Sequence, residues 1–150
     1  MVVRVHSEPG SMREPAKRRR AIDPRELLAI ACGGAAGALA RVALAQAIPP
    51  TPGSWPWATF AVNIAGALLL GYLLTRLQER LPVSTLRRPL LATGFCGALT
   101  TFSTVQVELL KMTDGHRFGL AASYLAASVI GGYLAVFASS ALVRRARALT

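Results

Sequence analysis

Charged residues are scarce in this sequence and unevenly placed. They make up 16% of the 150 residues, hydrophobic residues make up 53%, and the mean hydropathy is +0.43. A soluble domain usually has about 25% charged residues and cannot bury so much apolar surface at this length. Four long stretches contain almost no charge, while the 17 lysines and arginines cluster at the ends and in the connections. The composition therefore excludes an ordinary soluble protein and indicates a membrane protein.

Acidic residues, histidines and cysteines are also few, at 7, 2 and 2. Cys32 and Cys96 lie inside apolar stretches without a second cysteine or a histidine at metal-ligand spacing, so we interpret them as packing residues. The same stretches offer no arrangement of nucleophile and base, which argues against an enzyme. The formal net charge is +10, but the cations flank apolar stretches instead of forming a basic face. Nucleic acid is therefore not expected as a partner.

The chain divides into three regions. Residues 1–26 mix prolines with basic residues and show no apolar periodicity, which is typical of a disordered basic tail. Residues 27–143 form a membrane domain, and residues 144–150 form a basic C-terminal end. Four stretches of the membrane domain approach or exceed the roughly 20 apolar residues that span a bilayer; they are residues 27–48, 57–75, 89–110 and 118–143. They predict an all-α integral membrane protein with four transmembrane helices and a tight turn over residues 111–117.

Lysines and arginines predict the orientation of these helices. Fourteen lie in the N-terminal tail, the second connection and the C-terminal end, whereas the first connection has none and the third has two. Positive residues collect on the cytoplasmic side. Both termini are therefore expected in the cytoplasm, with the chain inserted in one orientation.

Polar side chains recur one helical turn apart inside two of the spans. Thr59 and Asn63 share one face of the second helix, and Tyr124 and Ser128 share one face of the fourth. All four donate hydrogen bonds and none is a carboxylate, so they suit an anion whose hydration shell must be replaced. The alternative is that each pair only joins neighbouring helices, which contributes about 1 kcal/mol.

The third span contains the least helix-like segment. Residues 94–104, GFCGALTTFST, place two glycines and four hydroxyl side chains near its middle. Unwound backbone is tolerated at that depth only where protein or a cavity satisfies its polar groups. The segment therefore predicts a third helix broken in mid-membrane, with Gly97 in a conformation open mainly to glycine. A continuous helix bent by its Ser and Thr residues is the alternative.

Two charges lie within the spans. Arg41 either extends its side chain to the interface or draws anions into a vestibule. A cleavable signal peptide is an alternative for this first span, but an arginine makes it a poor apolar core. Glu108, near the end of the third span, is expected at the interface beside Lys111 on the same helix face.

These residues resemble the Fluc (CrcB) family of fluoride channels. Residues 94–104 are similar to the family signature GFCGGxTTFSTF, and the resemblance covers about residues 27–143. Supporting elements are residues 33–41, Thr59, Asn63, Gly66, Tyr124, Ser128 and Gly132. The resemblance implies an antiparallel dimer of four-helix subunits in the inner (plasma) membrane that exports fluoride passively. It also implies two narrow pores and a structural Na⁺ ion where the two broken helices cross.

The resemblance further implies roles for individual residues. Along the fluoride path we expect Thr59, Asn63, Phe102, Ser103, Thr104, Tyr124 and Ser128. Phe102 would offer the positive edge of its ring. The backbone carbonyls of Gly97 and Thr100 correspond to the sodium ligands, and Arg41 and Glu108 match polar positions near the vestibule and the end of the broken helix.

One position departs from the signature, since Val105 replaces its second phenylalanine and offers no polarised ring edge. The leading function is a fluoride channel subunit. Together with the one-way insertion, Val105 predicts an oppositely inserted paralogue as the dimer partner. The alternatives are a structural subunit supporting a pore built mainly by that partner, and a small proton-coupled multidrug exporter, for which Glu108 is the only candidate carboxylate.

Overall fold

The computed structural model of the chain describes residues 23–49, 51, 53–80 and 86–148. These residues are helical apart from short connections. The elements in order are α1 (Pro24–Ala47), α2 (Trp57–Arg80), a π-helical segment (Pro89–Cys96), α3 (Gly97–Leu99), α4 (Phe102–Asp114) and α5 (Phe118–Ala148). Four segments are long and apolar enough to cross a membrane: Pro24–Ala47, Trp57–Arg76, Pro89–Asp114 and Phe118–Ala146. The predicted all-helical, four-span class is confirmed, while the predicted tail lies outside the described residues as far as residue 22.

Several helices extend beyond the apolar spans predicted from the sequence, and the start of α1 lies at Asp23 and Pro24, which are typical helix-start residues. α1 begins at Pro24 because the Asp23 side chain caps it, accepting a hydrogen bond from the Arg25 N–H at 2.9 Å. α4 extends to Asp114, so the turn predicted over residues 111–117 shortens to residues 115–117. α5 continues to Ala148 and takes in most of the predicted basic end.

The third span is interrupted at Thr100 and Thr101. It begins as the π-helical segment, continues through the single turn α3, and then places both threonines in extended conformations with φ/ψ of −78°/151° and −145°/121°. Gly66 on α2 makes room for this bend, because a Cβ at Gly66 would overlap the Cγ2 of Thr100. The span then resumes as α4.

Gly97 does not use the conformational freedom of glycine, contrary to the prediction. Its φ and ψ are −62° and −35°, which is ordinary right-handed helix, and a Cβ there would meet nothing within 4 Å. The backbone changes direction three residues later, at threonines that adopt extended conformations without strain. The expected conformational reason for a glycine at position 97 is therefore wrong within this subunit.

α1 lies against the first half of the third span through small residues. A Cβ on Gly33 would overlap the carbonyl oxygen of Leu90, and a Cβ on Gly37 would overlap that of Phe95. The Gly33–Gly37 pair of α1 therefore brings two helix backbones of the same chain into contact.

α2 and α5 form the other large helix pair and run in the same direction. Near its start α2 places Ile64 beside Gly131 of α5, and further along it places Gly71 beside Ser139. α4 joins α5 through the short turn at residues 115–117 and runs antiparallel to it. The three helices α2, α4 and α5 thus enclose a common seam.

Replacing Gly37 by alanine is expected to destabilise the folded chain, whereas replacing Gly34 is not. Both substitutions gain about 1 kcal/mol of helix propensity, but the new methyl group meets the Phe95 backbone at position 37 and open space at position 34. Overpacking of this kind costs about 1–3 kcal/mol. Thermal unfolding of the purified chain in detergent measures the difference, and equal midpoints for the two variants would contradict the packing.

Candidate functional site

Six polar side chains lie where α2, α4 and α5 meet. They form three pairs, each one turn apart on its own helix: Thr59 and Asn63, Thr104 and Glu108, Tyr124 and Ser128. We call this group the polar seam. Residues four apart are separated by about 6 Å along a helix, so the pairs define two levels. One level lies toward the two short connections, and the other lies beside the break in the third span.

Glu108 is the acceptor at the first level. The Thr59 hydroxyl donates to its Oε1 at 2.6 Å, and the Tyr124 hydroxyl donates to its Oε2 at 2.7 Å. Tyr124 is 0% exposed and Thr59 is 8% exposed, while Glu108 is half-buried. Glu108 therefore turns inward and links three helices, a role that the sequence does not predict.

Asn63 holds the break at the second level. Its Oδ1 accepts a hydrogen bond from the Thr101 N–H at 2.8 Å, and its Nδ2 donates to the Thr101 carbonyl at 3.1 Å. An amide NH₂ has two hydrogens, so one remains after the bond to Thr101. Asn63 is thus foremost the side chain that satisfies the interrupted backbone, and it keeps one donor for another acceptor.

Thr101 caps α4 and completes this arrangement. Its Oγ1 accepts a hydrogen bond from the Thr104 N–H at 3.2 Å and donates to the Thr104 hydroxyl at 2.9 Å. Thr101 is not among the site residues predicted from the sequence, although a threonine at the start of a helix is a common capping signal.

These side-chain bonds divert two donors that a continuous helix would use. In an α-helix the Thr101 N–H would bond the Gly97 carbonyl and the Thr104 N–H would bond the Thr100 carbonyl. Asn63 takes the first N–H and Thr101 takes the second. The carbonyls of Gly97 and Thr100 therefore lose their regular helical donors and become candidate oxygen ligands.

Three of the predicted site residues lie apart from the polar seam or at its edge. Phe102 is 72% exposed at the start of α4, and Ser103 is exposed, with its Oγ 3.3 Å from that of Thr101. Arg41 is half-buried on α1, a helix that packs against the first half of the third span. The chain brings none of these three side chains to Glu108.

Two predicted residues carry buried polar atoms that have no hydrogen-bond partner among the described residues, namely Ser128 Oγ and Arg41 Nε. Ser128 lies one turn beyond Tyr124, so its hydroxyl adds an unused donor to the polar seam.

A cavity of about 760 Å³ adjoins the first level, between the first connection and the end of α4. Its charged lining consists of Glu108, Lys111 and Arg117, and Thr59 and Thr104 contribute hydroxyls. Two cations against one carboxylate give the cavity a net positive charge. This electrostatic balance favours the entry of an anion.

Val105 faces the interior of the chain. It is 5% exposed and packs in a buried cluster with Tyr124, Ala121 and Met112. The position that departs from the family signature therefore contacts a residue of the polar seam, and its small side chain is accommodated in the core.

Comparison with known proteins places the chain among membrane channels. A family model described as "CrcB-like protein, Camphor Resistance (CrcB)" matches residues 28–140. A "Fluoride-specific ion channel FluC 1" from Mycolicibacterium paratuberculosis is 59% identical over 125 residues, which cover 83% of this chain and 95% of the relative. A "Fluoride-specific ion channel FluC" from Stutzerimonas stutzeri is 41% identical, with 80% and 98% covered. A "Fluoride-specific ion channel FluC 2" from Streptomyces avermitilis is 38% identical, with 81% and 79% covered.

Proposed function

The chain belongs to the CrcB-like family, and from that premise we propose that it is a subunit of a fluoride-specific ion channel that exports fluoride passively. The observation that carries this proposal is the 59% identity to a fluoride-specific channel over 83% of the chain. The protein is accordingly a channel and not an enzyme. Passive export lowers the toxicity of fluoride to the cell. We place the chain in the inner (plasma) membrane with both termini in the cytoplasm, as the distribution of positive residues favours.

The polar seam is the proposed fluoride path. Fluoride is small, strongly hydrated and a strong hydrogen-bond acceptor, so it crosses only where donors replace its water. The hydroxyls of Thr59, Tyr124 and Ser128 and the remaining amide hydrogen of Asn63 supply such donors one turn apart. Thr104 adds a hydroxyl, and Ser103 and Phe102 reach the path from the exposed start of α4.

Glu108 tunes how tightly the first level binds an anion. Its carboxylate already accepts the protons of Thr59 and Tyr124, so fluoride must compete for them. Conduction needs binding that is strong enough for entry and weak enough for release. A carboxylate that competes with fluoride for these donors meets both needs. Arg41, Lys111 and Arg117 supply positive charge near the vestibules, which offsets the negative charge of Glu108.

An antiparallel dimer completes the channel in this proposal. Phe102 is 72% exposed, and a large aromatic ring beside the break is suited to a second subunit and to a path between subunits. The break then lies near the middle of the membrane, where two third spans cross.

A structural Na⁺ ion fits the donors at that crossing. The carbonyls of Gly97 and Thr100 are hard oxygen ligands freed from helical bonding by Asn63 and Thr101. No group of three His, Cys, Asp or Glu side chains that could hold a metal occurs in the described part of the chain. The ion, when bound, supplies positive charge that compensates the exposed carbonyl dipoles.

The partner in the dimer is proposed to be an oppositely inserted paralogue. Fourteen cations on one side against two on the other favour a single orientation, and an antiparallel homodimer needs both. The names of relatives numbered 1 and 2 are consistent with paired paralogues. Val105 favours the related alternative that this chain mainly supports a pore lined by its partner.

Fluoride flux tests the function. Liposomes containing the chain, with its paralogue where one is required, are expected to release fluoride and retain chloride. Tyr124→Phe and Thr59→Val each remove one hydroxyl bonded to a carboxylate, an interaction of about 1.5–3 kcal/mol, so we expect a loss of flux on the order of tenfold or more. Ser123→Ala removes an exposed hydroxyl of α5 and is the matched control. Equal release of fluoride and chloride would refute the function.

The sodium site predicts a cation-specific stabilisation of the assembled channel. Sodium is expected to raise the thermal unfolding midpoint above that in choline at equal ionic strength, because a ligand at about 100 times its Kd adds about 2.7 kcal/mol. Asn63→Leu leaves the N–H and carbonyl of Thr101 without their side-chain partner, which disturbs the break, and is expected to remove this difference. Gln106→Leu, at an exposed position of α4, is expected to retain it. Identical midpoints in sodium and choline for the unmodified channel would argue against the ion.

Topology tests the paired assembly. Reporter tags on the two termini are expected to be cytoplasmic in every molecule, and cells with this chain alone are expected to export little fluoride. Co-expression of the paralogue is expected to restore export. Detecting the chain in both orientations, or full export by the chain alone, would show that no separate partner is needed.

A further inference from the structure

The two tryptophans of the chain occupy different environments, although both lie at the start of the second span. Trp57 is 60% exposed, as expected for a residue at a membrane interface. Trp55 is half-buried, and its ring meets Tyr124 edge-on, with centroids 5.4 Å apart and planes at 85°. It meets Phe60 in the same manner at 5.6 Å and 79°. Trp55 thus packs inward on a residue of the polar seam.

The connection that carries Trp55 is held in place by bonds of its own. The carbonyl of Gly53 accepts a hydrogen bond from the guanidinium of Arg117 in the third connection. Gly53 has a φ of 75°, a conformation that favours glycine. Ser54 adds two bonds to the Thr51 carbonyl, from its N–H at 3.1 Å and its hydroxyl at 2.8 Å. Trp55 therefore approaches Tyr124 from a turn that is anchored to the neighbouring third connection.

The position of the Tyr124 hydroxyl depends on the orientation of its ring. The hydroxyl sits at the far end of the side chain, so a small rotation of the ring displaces it well beyond the tolerance of a 2.7 Å bond to Glu108. Functional groups need to be held within about 0.5 Å and 10–20° of their working geometry. Tyr124 is 0% exposed, Trp55 meets its ring edge-on, and Phe60 packs in turn on Trp55.

We propose that Trp55 is a positioning residue of the channel: its ring, clamped by the first connection, holds the Tyr124 hydroxyl against Glu108. This inference rests on the proposed function and deepens it. The ring acts by packing, because the indole Nε1 is buried and has no hydrogen-bond partner among the described residues. Phenylalanine at position 55 would keep an aromatic edge, while removing the unpaired donor and one of the two fused rings.

Substitutions in the assembled, reconstituted channel test this proposal. Trp55→Leu is expected to lower fluoride flux by about as much as Tyr124→Phe, while Trp55→Phe stays within about twofold of the unmodified channel. Tyr72→Leu, which removes an exposed aromatic ring of α2, is the control and is expected to conduct normally. Thermal unfolding of each variant identifies any that fails to fold.

The double variant Trp55→Leu with Tyr124→Phe separates positioning from general damage. If Trp55 acts through the Tyr124 hydroxyl, the double variant loses no more flux than Tyr124→Phe alone. Losses that multiply, a Trp55→Phe variant as impaired as Trp55→Leu, or normal flux in folded Trp55→Leu would each overturn the inference. An unmodified channel without fluoride flux would instead overturn the proposed function.

Discussion

The site depends on two hydrogen bonds between the side chain of Asn63 and the backbone of Thr101. In an apolar span an unpaired N–H or carbonyl is costly, so the third span can change direction only where another group satisfies it. Asn63 does so with both atoms of its amide. Thr101 is then free to cap α4, which starts the second half of the span with a defined direction.

The direction of α4 determines what the remainder of the site can be. Glu108 lies one turn beyond Thr104, and this placement brings its carboxylate to Thr59 on α2 and Tyr124 on α5. The same bonds that stabilise the break release the Gly97 and Thr100 carbonyls from helical pairing. One asparagine thus links the proposed anion path to the proposed cation site, and both follow from the requirement to satisfy backbone groups away from water.

Close packing of the helices sets the positions of these hydrogen-bonding groups. Glycines at positions 33 and 37 bring α1 onto the first half of the third span, and Gly66 admits the bend at Thr100. On the other side of the seam, Trp55 and Val105 pack with Tyr124, and Phe60 packs on Trp55. Small residues thus allow the helix backbones to approach one another, and large residues orient the hydroxyl of Tyr124.

The number and approximate limits of the spans follow from the sequence alone, because apolar length and charge are properties of consecutive residues. The pairs Thr59–Asn63 and Tyr124–Ser128 are equally visible, since helical periodicity is local. The partners of Glu108 are not, because Thr59 is 49 residues away in the chain and its approach depends on how α2 packs beside α4. The same holds for Trp55, which resembles an interfacial anchor until the first connection folds it over Tyr124. Only the tertiary structure decides these contacts, since they depend on a helix break and a turn that set distant residues side by side.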